Sequence, residues 1–277
     1  MCILFLHVDP NPADGQFRLI AATNRDESYR RPALPAVKNN ETNVIGGIDM
    51  EKGREGGMWL GFSSNKQKHG KHIHCFSALL NLSGETTKNA SGRGSIVKDY
   101  LEGPKDFPQY VKRLGENIFN GFNLVGVELS ENDLKTFHYS NNPKIDCVYS
   151  GKHTLAFGNN PPYNPSQKVL RGRRKFIEII EKNFDEKSLE EELIKLLKDT
   201  TRNLPDLELQ KKYPKDYESL SSIYVEMGQK GYGTRTHSVI LINKNWNLTF
   251  IEYTMVEPID TSNPKWKVTR INSKLSS

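Results

Sequence analysis

The sequence predicts an α+β protein whose layers rest on antiparallel strands, and three observations carry that expectation. Two strongly apolar runs, residues 2–8 and 17–23, are separated by a short segment holding two prolines and a glycine, which reads as a hairpin. Further short runs rich in Val, Ile, Leu and Phe follow in groups, not in single alternation with helices. The helical patterns stand apart as blocks between those groups. No internal repeat or low-complexity linker interrupts the chain, so one domain over residues 1–277 is expected.

Taken in order, the first strand spans residues 2–8 and returns as the second over 17–23. Antiparallel pairing brings the end of the second strand to the start of the first. Cys2 and the polar run Asn24-Arg25-Asp26-Glu27 are therefore expected to be neighbours, with the polar run at the mouth of the hairpin. Glycine pairs at 46–47 and 56–57 flank a loop before a short strand at 59–62, and residues 73–82 form another strand that ends at Asn81. Helices are expected at 95–101 and 107–118, and strands at 122–129, 134–139 and 154–157. A loop with three prolines begins at Asn159. Residues 167–184 read as helix. Ser188-Leu189-Glu190-Glu191 reads as a capping box opening a second one to 199, with Leu189, Leu193, Leu196 and Leu197 in one stripe. Residues 200–222 are loop-rich with some helix, and strands at 238–243 and 247–253 close the core.

Composition narrows the function classes. The 277 residues are 36% hydrophobic and 26% charged, with a net charge of +6, which is ordinary globular usage and long enough to bury a large core. The positive excess is spread out, without a long Lys/Arg block or zinc-finger spacing, so nucleic acid is not the expected partner. No apolar stretch reaches the roughly 18 residues of a membrane span, and the first residues lack the basic start and small-residue cleavage site of a signal peptide. Three scattered cysteines, Cys2, Cys75 and Cys147, suit a reducing compartment better than a disulfide framework, and a cytoplasmic location is expected.

Cys2 carries the most chemistry. If Met1 is trimmed, the residue would hold both a thiol and an α-amine, so nucleophile and base would share one position. A buried apolar cysteine opening a strand is the plainer reading of the same position. Within the polar run, a carboxylate of Asp26 or Glu27 could hold the amine and Arg25 could steady that carboxylate; an exposed turn with a surface ion pair is the alternative. Asn81 and Asn159, each after a strand, suit oxyanion donation or simple turn capping. Gly231-Tyr232-Gly233-Thr234-Arg235-Thr236-His237 reads as a turn before a buried strand, with Arg235 at the junction as an anion partner or a solvated arginine. His72 and His74 share a strand face but lack a nearby third ligand, so no metal site is expected. Arg171, Arg173, Arg174 and Lys175 form a basic helix start that suits solvent or anionic groups.

Five stretches in fixed order make a further pattern: Met1-Cys2-Ile3, Asn24-Arg25-Asp26-Glu27, Gly57-Met58-Trp59-Leu60-Gly61, Gly121-Phe122-Asn123-Leu124 and Gly231 to Thr236. Together they resemble the transport and Golgi organisation protein 2 family, also called the NRDE family, from residue 1 to about 255, and within it the animal haem-trafficking members. The resemblance implies an N-terminal nucleophile hydrolase-like fold, a four-layer αββα sandwich shared with bile-salt and penicillin V acylases. By motif it implies Cys2 as nucleophile and Asp26 or Glu27 as the acid, with Asn81, Asn159 and Arg235 completing the site. Asn24 stands where the acylases would carry an arginine. It implies haem as cargo, held near Asn24, Arg25, Glu27 and Arg235 and passed to acceptor haemoproteins. It also implies links to mitochondria, Golgi organisation, secretion and lipid balance, with peripheral contact to organelles. A Cys2-dependent amide or thioester hydrolase acting on acyl-CoA-like substrates is the enzymatic alternative, and a membrane-trafficking adaptor is the third.

Overall fold

A computed structural model describes residues 2–68, 71–84, 86–131 and 133–276. Met1, whose removal the sequence suggests, lies outside the described residues, as does the side chain of His72. In chain order the elements are β1 (Ile3–Val8), β2 (Phe17–Ser28), β3 (Ala33–Lys38), β4 (Val44–Asp49), β5 (Leu60–Lys68), β6 (Lys71–Asn81), α1 (Ser95–Glu102), α2 (Phe107–Leu114), β7 (Phe122–Leu129), β8 (Leu134–Asn141), β9 (Lys144–Ser150) and β10 (His153–Phe157). There follow α3 (Gln167–Glu181), α4 (Glu186–Leu197), α5 (Leu207–Lys212), α6 (Tyr217–Leu220), β11 (Glu226–Met227), β12 (Tyr232–Asn243), β13 (Asn247–Met255) and β14 (Trp266–Lys274). The α+β class is observed as two antiparallel sheets with a few helices.

The chain divides into two compact units. The first joins the residues up to Arg30 to Lys152–Asn272, and the second comprises Arg31–Gly151 with the residues from Ser273 onward. In the first unit the sheet order is β10-β1-β2-β12-β13-β14, with β11 on β12. Helices α3 and α4 cover one face, where Ile3 and Phe5 of β1, Ala22 of β2 and Val239 of β12 meet Val169, Phe176, Leu193 and Leu197. The leucine stripe expected on α4 is buried there, each side chain contributing about 1.5–3 kcal/mol. The helix begins one turn earlier than the capping box suggests. Asp185, not Ser188, caps it, its carboxylate accepting from Lys187 N and Ser188 N. A carboxylate that accepts two amides at the positive helix end outcompetes a serine hydroxyl for that role.

In the second unit the sheet runs β3-β4-β5-β6-β7-β8-β9, and α1 and α2 pack on it through Tyr100, Leu101, Phe107 and Val111. Phe107 stacks on Phe137 with ring centroids 5.1 Å apart. His74 bonds the Ser276 carbonyl at 2.7 Å through Nε2 and stacks on Phe62.

Among the strands that extend further than the apolar pattern indicates, β2 and β12 bear on the polar run. β2 does not stop at Thr23; it continues to Ser28 because β12 pairs with it along that length, Gly233 facing Glu27 and His237 facing Asn24. The polar run therefore lies inside a paired strand, not at its mouth. β12 in turn starts at Tyr232, so the Gly-rich stretch is strand from Tyr232 on and turns at Gly231 alone, which sits at φ +63°. Strands β9 and β14 escape the pattern because exposed and partly buried residues alternate along both, without an apolar run.

Gly172 shows how tightly α3 approaches β1. A Cβ there would meet the Phe5 ring at 2.5 and 2.8 Å and Ile223 Cδ1 at 3.1 Å. Alanine in a helix normally gains about 1 kcal/mol over glycine, whereas overpacking a core costs about 1–3 kcal/mol. The clash should win. Gly172→Ala is expected to lower stability by up to about 2 kcal/mol in urea unfolding, and a stabilised variant would show the contact to be softer than this geometry indicates.

Candidate functional site

The polar run organises the first unit from inside. Asn24 is fully buried and uses its whole amide. Its Nδ2 donates to Leu197 O at 2.8 Å, at the end of α4, and to Ile223 O at 3.0 Å. Its Oδ1 lies 2.7 Å from His237 Nδ1 on β12. Because Nδ2 carries both amide hydrogens, Oδ1 is the acceptor, and His237 must therefore hold its proton on Nδ1. Burial lowers the His237 pKa to about 3, so the ring is neutral. Its Nε2 is buried without a hydrogen-bond partner among the described residues, beneath Trp266, which stacks on the imidazole at 4.7 Å.

Asp26 is the second anchor. Its Oδ1 accepts from Thr234 Oγ1 at 2.6 Å, and that hydroxyl accepts from Val225 N at 2.9 Å. Its Oδ2 lies 3.9 Å from Lys168 Nζ, which donates to Ser222 O at 3.1 Å. Its main-chain carbonyl accepts from Tyr232 OH at 3.2 Å and from the Cys2 thiol at 3.8 Å. The hairpin register that faces Ile3 with Asn24 thus brings Cys2 to Asp26, as the pairing argument requires. Burial pushes the Cys2 thiol pKa up. Burial also lowers the Lys168 ammonium, with Asp26 and then Cys2 opposing that shift.

The bulge between Thr234 and Thr236 makes Arg235 the extra residue of β12. Its side chain is fully buried, donating through Nη1 to Ser28 O at 3.2 Å and pairing through Nη2 with Glu257. Glu27 is partly exposed, and its Oε1 accepts from the neighbouring Ser28 N at 2.8 Å. Arg25 is buried on β2. Asn159 is buried in the first unit, while Asn81 is an exposed residue at the end of β6 in the second. The structure therefore gathers Cys2, Asn24, Asp26 and Arg235 on neighbouring strand positions of one unit.

Three members of the cluster were not singled out from sequence: Lys168, Thr234 and His237. Lys168 had a readable signal, since Lys168, Gly172, Phe176 and Ile179 share one helical stripe and only the first is charged. Thr234 and His237 had none, because their partners depend on strand register.

A cavity of about 350 Å³ lies at the other end of β1 in the same unit. Phe17, Ile20, Ile180, Phe184 and Leu189 give it an apolar lining, with His7 and Lys152 among its polar groups. Five residue steps along extended chain separate His7 from Cys2, roughly 16 Å. His7 is 5% exposed, its Nδ1 lies 2.8 Å from Thr154 Oγ1, and burial lowers its pKa to about 4. Lys152 Nζ pairs with Asp9 Oδ2 at 3.0 Å. Among the described residues no group of three or more His, Cys, Asp or Glu is arranged to hold a metal ion, and no helix is long and apolar enough to cross a membrane.

Two outcomes follow from this geometry. Asn24→Leu leaves two carbonyls and His237 Nδ1–H without partners, at about 1–3 kcal/mol each, so a loss of about 3–9 kcal/mol is expected in urea unfolding; a loss under about 1 kcal/mol would contradict the bracing role. His7 and His237 are neutral in the fold but protonate near the ordinary 6.5 when unfolded. Their stabilisation is present above about pH 6.5 and is lost as pH falls toward about 4 and 3, about 1.5 kcal/mol for each imidazole between pH 6.5 and 5. A flat urea midpoint over that window would show the imidazoles to be solvated.

Comparison with known proteins agrees with the motif order. The sequence model described as "Transport and Golgi organisation 2" matches residues 1–257. The chain is 37% identical over 267 residues to Transport and Golgi organization protein 2 of Drosophila melanogaster, covering 92% of each. It is 33% identical over 289 residues to the Bos taurus homolog, covering 100% of each, and 32% identical over 268 residues to the Homo sapiens homolog, covering 93% of this chain and 94% of that one. This chain belongs to the Transport and Golgi organisation 2 family.

Proposed function

We propose that this protein is a cytosolic haem carrier that moves haem from mitochondria or storage organelles to acceptor haemoproteins. In this reading it also serves secretion and Golgi organisation, the latter named together with transport in the names of its relatives. The proposed framework is a single domain over residues 1–277 with the N-terminal nucleophile hydrolase-like αββα arrangement. The observation that carries the reading is the cleft at His7. Its volume of about 350 Å³ falls within the usual range for small-molecule sites, and an apolar lining suits a flat hydrophobic ring. An uncharged imidazole backed by the Thr154 hydroxyl is the form that coordinates iron. Lys152, 60% exposed, offers a cation for a carboxylate. Cys2, with its pKa raised and its donor turned to a main-chain carbonyl, resembles a structural thiol more than an activated one.

The gathering of Cys2, Asp26 and Lys168 favours a second reading, a hydrolase for amides or thioesters of the acyl-CoA type. Cys2 would attack the acyl carbonyl, expel the thiol or amine, and release the acid when water cleaves the acyl-thioester. Lys168 would favour the thiolate.

Haem titration of the purified chain followed by visible absorbance separates the two. The carrier reading expects saturable binding that Cys2→Ser leaves intact, that Thr154→Val weakens about 10–100-fold and that His7→Ala strips of its histidine-ligand spectrum. Fatty-acid release from acyl-CoA that disappears in Cys2→Ser, with no saturable haem binding, would overturn the carrier in favour of the hydrolase.

A further inference from the structure

We infer that the start of α3 and the start of α5 together form a docking surface for an anionic lipid bilayer. The two segments are tied side by side. Asp206 Oδ2 accepts from Gln167 N at 2.8 Å, and Arg171 Nη2 donates to Leu204 O at 3.1 Å. Gln167, Leu170, Arg171 and Arg174 follow the i, i+3, i+4, i+7 spacing of one helix face. This face therefore borders the segment that carries Leu207.

Large apolar side chains stand in solvent here. Leu207 is 74% exposed, Leu170 is 37% exposed, and Tyr163, in the turn just before α3, is 72% exposed. A single exposed leucine needs no explanation, but three large apolar groups around two adjoining helix starts do. Leu207 is not held out by a failed core. The next core position, Leu209, is 1% exposed, and Asp206 caps α5 by accepting from Leu209 N at 3.0 Å. The cap fixes which way α5 faces, and Leu207 is on the outside.

The charge around these groups is positive. Arg174, Lys211 and Lys212 are exposed and hold no partner among the described residues. Lys211 follows Leu207 by four residues, on the same side of α5. Glu208 is the exposed acid of α5, while Asp206 is buried in its cap. Apolar and tyrosyl side chains beside unpaired cations match the boundary between acyl chains and anionic headgroups, where leucine enters the apolar layer and the cations meet the phosphates. A surface that docks on an acidic protein would gain from the charge but not from three apolar side chains projecting singly.

The test uses the whole chain in vesicle sedimentation. Vesicles of phosphatidylcholine are compared with vesicles in which part of it is replaced by phosphatidylserine. Binding is expected to the second kind and to fall with added salt. It should drop at least tenfold in Leu170→Gln/Leu207→Gln and weaken in Arg174→Glu. These positions are exposed, so thermal melting should match the parent chain, and that match reports that the variants fold. Equal binding to both vesicle types, binding untouched by the double substitution, or retention on polyglutamate without retention on vesicles would each overturn the inference.

Discussion

The amide of Asn24 is the constraint on which the first unit turns. One side chain ties β2 to the end of α4, to the segment entering β11 and to β12. Those elements are distant in sequence, 173, 199 and 213 residues from Asn24. No apolar residue could join them, because two of the partners are main-chain carbonyls that need donors when buried. The same bonds fix the His237 tautomer, and Trp266 closes over it. A chain that puts a polar run inside a buried strand thus gains a lock on the helix layer, whose apolar packing alone would tolerate sliding.

Asp26 extends that lock toward Cys2. Its carboxylate and its carbonyl together engage Thr234, Tyr232 and the thiol, with Lys168 close by. The bulge at Arg235 is what aligns Thr234 with Asp26, since without the extra residue the register of β12 on β2 would place a neighbour there. Lysine, carboxylate and thiol would also suffice for nucleophilic chemistry. Burial works against it by raising the thiol and lowering the ammonium, which favours the neutral state of both. The cleft at His7 has a different character, an apolar lining that includes an uncharged ring, and the carrier proposal rests on that contrast.

Much of this was legible from residue order. The hairpin register follows from two apolar runs and a turn, and it correctly brings Cys2 to the polar run. The leucine stripe of α4 and the helical span of α3 follow from periodicity. What sequence could not supply is partnership across strands. The polar run looks like a strand end because apolar residues stop at Thr23, yet β12 keeps the backbone paired to Ser28. Asn24 reads as a ligand-facing amide, while its bonds go to main-chain carbonyls that any sequence would carry. His237 sits in a Gly-rich stretch that looks like a turn, and only its register opposite Asn24 gives it a role.

The most direct test of the buried brace is nitrogen NMR of the His237 ring in the folded chain. The account requires a proton on Nδ1, an unprotonated Nε2, and no titration of either nitrogen as pH falls from 7 to 5. A proton on Nε2, or a midpoint near the ordinary histidine value of about 6.5, would contradict it.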